Sequence, residues 1–299
     1  MQSYRDVWEI TMMYKHKFRG LESILTFDNW PTLLFGRLFD RKTGFVAYRK
    51  KGFDILIDHR GGDECGTRMC IAADTYRKYL PFFNLKGPVR VLDLGANGGG
   101  FPLMLRIAGI DVVRAVCVEM NPLTFLRLHV NLATNLGPSA VAINAAVCGM
   151  PEDSKIMIAP SRGGTGDSMF AERATRADGT VQAASQVAVP TTTLQALYDR
   201  YFNGESIDIC KIDIEGAEFD IFESSSSELL QKIKGLIMEI HCFDEAGRAR
   251  AKVLLDRITT LGFEDITIDE GHKTGDGTEV RAFVGPAAKR AAVPGRSAA

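Results

Sequence analysis

The chain has 299 residues, 45% hydrophobic and 24% charged, which are the proportions of a soluble globular protein with room for one large domain or two modest ones. Its 36 Lys and Arg nearly balance 37 Asp and Glu, and a net charge of −1 excludes the basic surplus of a general nucleic-acid coat protein. No run approaches the roughly 18 consecutive apolar residues that a membrane helix needs, and Met1-Gln-Ser-Tyr-Arg-Asp carries charge where a secretory signal has its apolar core, so a cytoplasmic protein is expected.

Residues 1–85 differ in character from the rest of the chain. Residues 1–40 are rich in aromatics and broken by Pro31, and they read as two or three short amphipathic helices. Trp8, Phe18, Trp30 and Phe35 fall here, as core, as lining of an acceptor pocket or as dimer contacts. Residues 45–58 read as a hairpin turning at Lys51-Gly52, because Phe53, Ile55 and Ile57 alternate with Asp54 and Asp58. A helix is expected from Thr75, with Asp74 as its N-cap. Residues 1–85 thus form a helical and hairpin N-terminal extension ahead of a second unit over 86–285. The Ala-, Pro- and base-rich residues 286–299 read as a disordered tail.

From Val89 the pattern alternates between strand and helix. Apolar strands are expected at 89–93, 112–118, 140–147, 207–212 and 236–240. The best-marked helix covers 245–261, with Leu254, Ile258 and Leu261 on one face and Gly262 as its stop. Two last strands, near 265–268 and 280–284, have only a polar loop between them. The alternation predicts an α/β fold: a doubly wound, mostly parallel sheet of seven strands, whose last strand has no helix before it and runs antiparallel. Residues 148–206 form one long connection containing Arg162-Gly-Gly-Thr-Gly-Asp-Ser, the length of a lid, a binding loop or a disordered segment. Cys117, Cys148 and Cys210 sit in or beside apolar runs and read as buried thiols. Cys65 and Cys70 lack the second Cys/His pair that a zinc site needs.

Three motifs carry chemistry. Val91-Leu-Asp-Leu-Gly-Ala-Asn-Gly-Gly-Gly-Phe lies where the first strand turns into a helix, and its glycines permit a sharp turn and close approach of a ligand to a helix N-terminus. Asp93 before the first glycine suits a ligand with a positive amino group and a sulfonium, such as S-adenosylmethionine, rather than a pyrophosphate. Glu119, twenty residues past Gly99, can accept hydrogen bonds from both ribose hydroxyls, a feature shared with NAD sites. The second motif, Lys211-Ile-Asp-Ile-Glu-Gly-Ala-Glu, places Asp213, Glu215 and Glu218 at a strand end, as an acidic site or as a solvated loop. The third is Met238-Glu-Ile-His241, where Glu239 and His241 point the same way and His241 is a general base or a structural histidine.

In this order the motifs resemble the FkbM family of S-adenosylmethionine-dependent methyltransferases over about residues 85–245. The resemblance rests on Asp93-Leu-Gly-Ala-Asn-Gly, on Glu119 followed by Asn121-Pro, on Asn131, on the Lys211 motif, and on Glu239-Ile-His241. The sequence departs at Met120, where the family often has proline, and at Ser224 to Ser227, where a glycine commonly follows the fourth helix. The resemblance implies a Rossmann-like methyltransferase sheet, S-adenosylmethionine as cofactor, and O-methylation of a hydroxyl on a sugar, glycan or other natural product.

On that reading Asp93, Gly95, Ala96, Asn97, Gly98, Glu119, Asn121 and Asp213 hold the cofactor. Asn144 and Ala145 contact adenine, and Asp167 and Ser168 close over it from the long connection. An aliphatic hydroxyl is a poor nucleophile, so its proton must be removed. His241 is expected to take it, with Asp213 and Glu239 positioning the acceptor and Lys211 supporting the acidic cluster that includes Glu215. A variant has Asp213, Glu215 and Glu239 holding a magnesium ion on two sugar oxygens. The expected partners are a small-molecule or glycan acceptor and a second copy in a homodimer, with no nucleic acid and no integral membrane segment. Two competing readings are an NAD-linked oxidoreductase on a similar sheet and a non-catalytic scaffold that binds a partner through its aromatic amino-terminal region.

Overall fold

The computed structural model describes residues 21–39, 44–158, 186–268, 271–274 and 278–287. Helix α1 (Trp30–Phe39) contains Pro31 in its first turn, where a missing N–H costs nothing. Proline therefore opens this helix, and the expected break between short helices falls just before it, at residues 26–29. Trp30 and Phe35 are exposed, at 42% and 65%, while Phe27 and Leu33 are buried, so core packing is not the role of the first two. Trp8 and Phe18 lie outside the described residues. The hairpin follows its pattern: β1 (Phe45–Lys50) and β2 (Phe53–Asp58) pair antiparallel, with Lys50 opposite Phe53. Lys51 and Gly52 both have positive φ, as a two-residue hairpin turn requires. The helix expected from Thr75 is only a 3-10 stretch, Arg77–Phe82, without a side-chain cap, because Pro81 removes a donor inside it.

After the short helix α2 (Met69–Ala72), strands β3 (Val89–Leu94), β4 (Val112–Glu119) and β5 (Ala140–Asn144) alternate with helices α3 (Gly100–Ile107) and α4 (Pro122–Asn135). A small separate sheet follows, made of β6 (Ala146–Val147), β7 (Lys155–Ile158) and β8 (Val187–Thr192), and then α5 (Leu194–Tyr201). The chain returns through β9 (Ile209–Ile212), α6 (Glu218–Ser224), β10 (Gly235–Cys242) and α7 (Glu245–Thr260), and ends in β11 (His272–Lys273) and β12 (Glu279–Pro286). The main sheet is mixed α/β, seven-stranded and mostly parallel, in the order β11-β12-β10-β9-β3-β4-β5. β12 runs antiparallel to β10, as the missing crossover helix requires.

Two strand expectations are corrected. The run 140–147 breaks at Ala145: its first part pairs with β4, and Ala146–Val147 turns away to pair with β8. Residues 265–268 do not complete a strand: the Ile266 N–H donates to the Val284 carbonyl, but the Val284 N–H turns to the Thr267 hydroxyl and the Asp265 carboxylate takes the Thr267 N–H, so the ladder is interrupted there. The edge strand is β11. Strand β12 also runs through Pro286, and the Ala287 N–H donates to the Lys234 carbonyl. Residues 288–299 lie outside the described residues.

Alternation along the central strands sends side chains to two layers. Leu92, Leu94, Val116, Val118, Ile212 and Met238 face one, with Leu197, Phe222, Leu254 and Ile258 against them. Val91, Ala115, Cys117 and Ile237 face the other, against Leu103, Leu128 and Leu132. Phe27, Tyr48, Ile55, Ile57, Ile71 and Tyr79 join this second layer, so the amino-terminal segment covers one face of the sheet. At about 1.5–3 kcal/mol for each large buried side chain, that contribution is substantial. Asn131 fastens the segment: its amide donates to the Leu56 and Gly98 carbonyls at 3.0 and 2.8 Å and accepts the Leu56 N–H at 2.7 Å. The six cysteines are free thiols and only Cys65 is exposed. No described helix is long and apolar enough to cross a membrane.

Candidate active site

Strand β3 delivers its chain end into a turn that glycine alone accommodates. The Asp213 N–H donates to the Leu94 carbonyl and draws the end of β9 against Gly95, whose φ is +75°. A Cβ there would lie 1.7 Å from the Asp213 carbonyl oxygen. Gly95→Ala is therefore expected to force the turn and β9 apart and to lower cofactor affinity at least about tenfold, a change of 1.4 kcal/mol or more. Retained affinity in a calorimetric titration would contradict this. Asn97 is left-handed as well, with φ +49°. The amino-terminal segment buttresses the turn through Thr67, whose hydroxyl donates to Asn97 Oδ1 and accepts the Gly98 N–H, each at 2.9 Å.

Beyond this turn lies a cavity of about 280 Å³, at the C-terminal ends of β3, β4, β9 and β10. It sits where connections from neighbouring strands leave in opposite directions, the usual ligand position of a doubly wound sheet. Asp93 lines it, fully buried, with neither carboxylate oxygen hydrogen-bonded. Burial pushes its carboxyl up to about 6, against the pull of the Lys211 ammonium 3.7 Å away. A buried carboxylate without donors at a cavity wall fits a ligand that brings a cationic amino group. Glu119 closes β4 and accepts the Asn97 and Asn121 N–H groups at 2.9 and 2.8 Å. Those bonds fix its carboxylate, whose remaining lone pairs suit ribose hydroxyls. Asn121 itself caps α4 by accepting the Leu123 N–H. These residues fit S-adenosylmethionine.

Through Lys211, Asp93 is continuous with a larger charge network. Lys211 is buried, donates to the Gly95 carbonyl at 2.7 Å and lies 3.3 Å from Asp213. Burial opposes its charge, but Asp213 and Asp93 outweigh burial and raise its pKa. Asp213, Glu215 and Glu239 all line the cavity. His241 stands behind them: Nδ1 is 2.8 Å from the fully buried Glu218, and Nε2 is 3.5 Å from Glu215 and 3.9 Å from Asp213. Burial disfavours its charged form, yet the hydrogen bond and charge of Glu218, with Glu215 and Asp213, push its pKa up to about 9. Burial and the neighbouring carboxylates raise Glu215 to about 7, although His241 pulls the other way. Ligand atoms of Asp213, Glu239 and His241 lie within 4.8 Å of one another, so these residues, with His241 in place of Glu215, are the ones that could hold an ion. Two cations, Lys211 and His241, already compensate them, and no metal is assigned.

Sequence reasoning placed some residues here that the fold sends elsewhere. Asn144 is not on the cavity wall, because its amide donates to the Glu119 and Met120 carbonyls and holds the end of β4. Gly98 gives its N–H to Thr67 and its carbonyl to Asn131, so it is committed to packing. Ala96, Asn97, Asn121 and Ala145 do line the cavity. Asp167 and Ser168 lie outside the described residues. Sequence reasoning missed Thr67, Met69, Cys70 and Tyr76, which form one wall from the amino-terminal side. Tyr76 donates to Glu239 at 3.0 Å across 163 positions of sequence, and no local pattern marks such a pair.

A family model for the Methyltransferase FkbM domain matches residues 93–265, more than half of the chain. No curated protein matches. Among solved structures, the tRNA m1G37 methyltransferase of M. jannaschii shares 9% identity over 84% of this chain and 59% of its own, with a TM-score of 0.45. The FkbM methyltransferase from Methylobacillus flagellatus KT shares 13% identity over 70% and 46%, with a TM-score of 0.39. TrmK of M. capricolum, determined in complex with S-adenosylhomocysteine, shares 10% identity over 73% and 70%, with a TM-score of 0.40. The chain thus spans less than two thirds of the length of the first two of these structures.

Proposed function

Because the chain belongs to the FkbM family of methyltransferases, we propose that it O-methylates a hydroxyl group of a sugar, glycan or other natural product. The observation that carries this reading is a single cavity lined both by Asp93, whose buried carboxylate oxygens accept no hydrogen bond, and by the Asp213, Glu215 and Glu239 carboxylates. When bound, S-adenosylmethionine supplies an electrophilic methyl group on a sulfonium. The protein's own residues then have to align an acceptor oxygen and remove its proton.

Asp93 and Glu119 hold the amino group and the ribose, and Ala145 borders the base. Glu239, oriented by the Tyr76 hydroxyl, accepts a hydrogen bond from the acceptor. The proton passes to Glu215, whose pKa of about 7 matches the demand for a base near neutral pH. Sequence reasoning gave that step to His241. A buried imidazole with a pKa of about 9 is a cation at neutral pH, and His241 sits behind the cavity wall. It is better suited to steadying the Glu215 carboxylate from behind while Glu218 fixes its ring. Lys211 holds the glycine turn to the end of β9 and offsets Asp93 and Asp213.

Calorimetric titration of S-adenosylmethionine, with NAD as control, tests the cofactor half. Saturable binding is expected for S-adenosylmethionine alone. Glu119→Ala should weaken it about 10- to 100-fold, the loss of a hydrogen bond to a charged group. Binding of NAD in preference to S-adenosylmethionine would sink the reading. With that half secured, transfer of a labelled methyl group to hydroxylated glycans and natural products tests the acceptor half.

A further inference from the structure

We propose that a second, basic cleft binds the phosphate group of a small organic phosphate. The cleft lies between the hairpin turn, the Arg77–Phe82 stretch and the end of α3, and its lining includes Lys50, Lys51, Arg77 and Lys86 over an apolar floor containing Leu80 and Phe83. No carboxylate lines it. The inference is independent of the methyl-transfer reading.

The cations are placed where their own fold does not neutralise them. Lys51 Nζ donates to the Ile107 carbonyl at 3.0 Å, a position that complements the C-terminal end of α3 and accounts for one charge. Lys50 Nζ and Arg77 Nη2 both converge on a single neutral acceptor, the Ile71 carbonyl, at 3.4 and 2.8 Å. Lys50 has one further partner, the Thr26 hydroxyl at 3.2 Å, and it lies 5.2 Å from the centre of the Phe27 ring. Two cations on one carbonyl oxygen repel each other, and burial together with Arg77 lowers the Lys50 pKa. The neighbouring carboxylate, Asp28, accepts the backbone N–H of Lys51 at 2.6 Å, and none of the four side chains is in an ion pair among the described residues. Lys86 adds an exposed charge at the rim.

A tetrahedral, doubly charged oxyanion answers this arrangement better than a carboxylate. It offers several acceptor oxygens to donors arriving from separate segments, and Arg and Lys are the residues that bind it. The apolar floor leaves room for the organic part of the ligand against Leu80 and Phe83. The cleft also shares a segment with the catalytic cavity: Met69, Cys70 and Tyr76 face that cavity, while the Ile71 carbonyl and Arg77 serve the basic cleft.

The test is calorimetric titration of the full chain at low salt with inorganic pyrophosphate, before and after saturation with S-adenosylhomocysteine. Saturable binding at one site is expected, unchanged by S-adenosylhomocysteine. Lys50→Met with Arg77→Met should weaken it at least about tenfold, the scale of losing charge-assisted hydrogen bonds. Lys86→Glu, at an exposed position that folding does not require, should weaken it as well. Failure to saturate at millimolar pyrophosphate, loss of binding when S-adenosylhomocysteine is present, or full affinity in Lys86→Glu together with the folded double variant would each overturn the proposal.

Discussion

Arg127→Met is expected to destabilise the protein by about 3–5 kcal/mol, the scale for leaving a buried charge without its partner. Arg127 and Asp63 are both buried and meet in a bidentate pair, at 2.6 Å through Nε and 2.8 Å through Nη2. Asp58, also buried, lies 4.0 Å from the same guanidinium. Burial already raises the Asp63 pKa against the pull of Arg127, so removing the arginine strands two carboxylates in the interior. The pair joins α4 to the loop after the hairpin, and that loop leads to Thr67 and the glycine turn. Cofactor affinity should therefore fall along with stability. Urea unfolding reads the first effect as a lower midpoint at constant slope. A loss under about 1 kcal/mol, the range of exposed ion pairs, would show that the pair is solvated.

The second large effect concerns the carboxylate and histidine network. Turnover is expected to follow a bell in pH, rising through about 7 as Glu215 ionises and falling through about 9 as His241 loses its proton. Because the two groups interact, these limbs belong to the pair. Glu215→Gln should lower turnover about 10²- to 10⁴-fold, the usual worth of a general base, with S-adenosylmethionine binding retained. Glu218→Gln should move the alkaline limb down, since it removes the strongest support of the imidazolium. Nuclear magnetic resonance of the His241 ring checks this without any acceptor. A ring that titrates near the ordinary 6.5 in the wild type would remove the argument.

The same shifts govern stability without ligand. Glu215 is raised from 4.5 to about 7, Asp93 from 3.8 to about 6 and His241 from 6.5 to about 9. In each window the folded chain holds more protons than the unfolded chain, so stability falls as pH rises. The stabilisation from His241 is fully present below 6.5 and is lost as pH climbs through 9. The unliganded protein should thus unfold at lower urea at pH 9 than at pH 6. The opposite order would contradict these assignments.

Local pattern was enough for much of the fold. The hairpin turn at Lys51-Gly52, helix α7 with its buried Leu254 and Ile258, and the antiparallel return of β12 all follow from periodicity and connection length. The strand ends carrying Asp93, Glu119, Asp213 and Glu239 were legible for the same reason: in a doubly wound sheet, C-terminal strand ends converge on one edge. Short-range competition defeated other readings. The strand expected at 265–268 stays incomplete, because the Thr267 N–H goes to the Asp265 carboxylate and the Val284 N–H to the Thr267 hydroxyl.

What sequence by itself determined here is the mostly parallel sheet, the edge on which its cavity lies and the family. Only the tertiary structure decided which atoms face the cavity. It put Tyr76 on Glu239, Thr67 under the glycine turn and Asn144 behind Glu119. It also set His241 among three carboxylates, Glu218, Glu215 and Asp213, which push its pKa up to about 9. The physical reason is range. Periodicity and turn chemistry act over a few residues, whereas a proton's position depends on burial and on charges that arrive from distant parts of the chain.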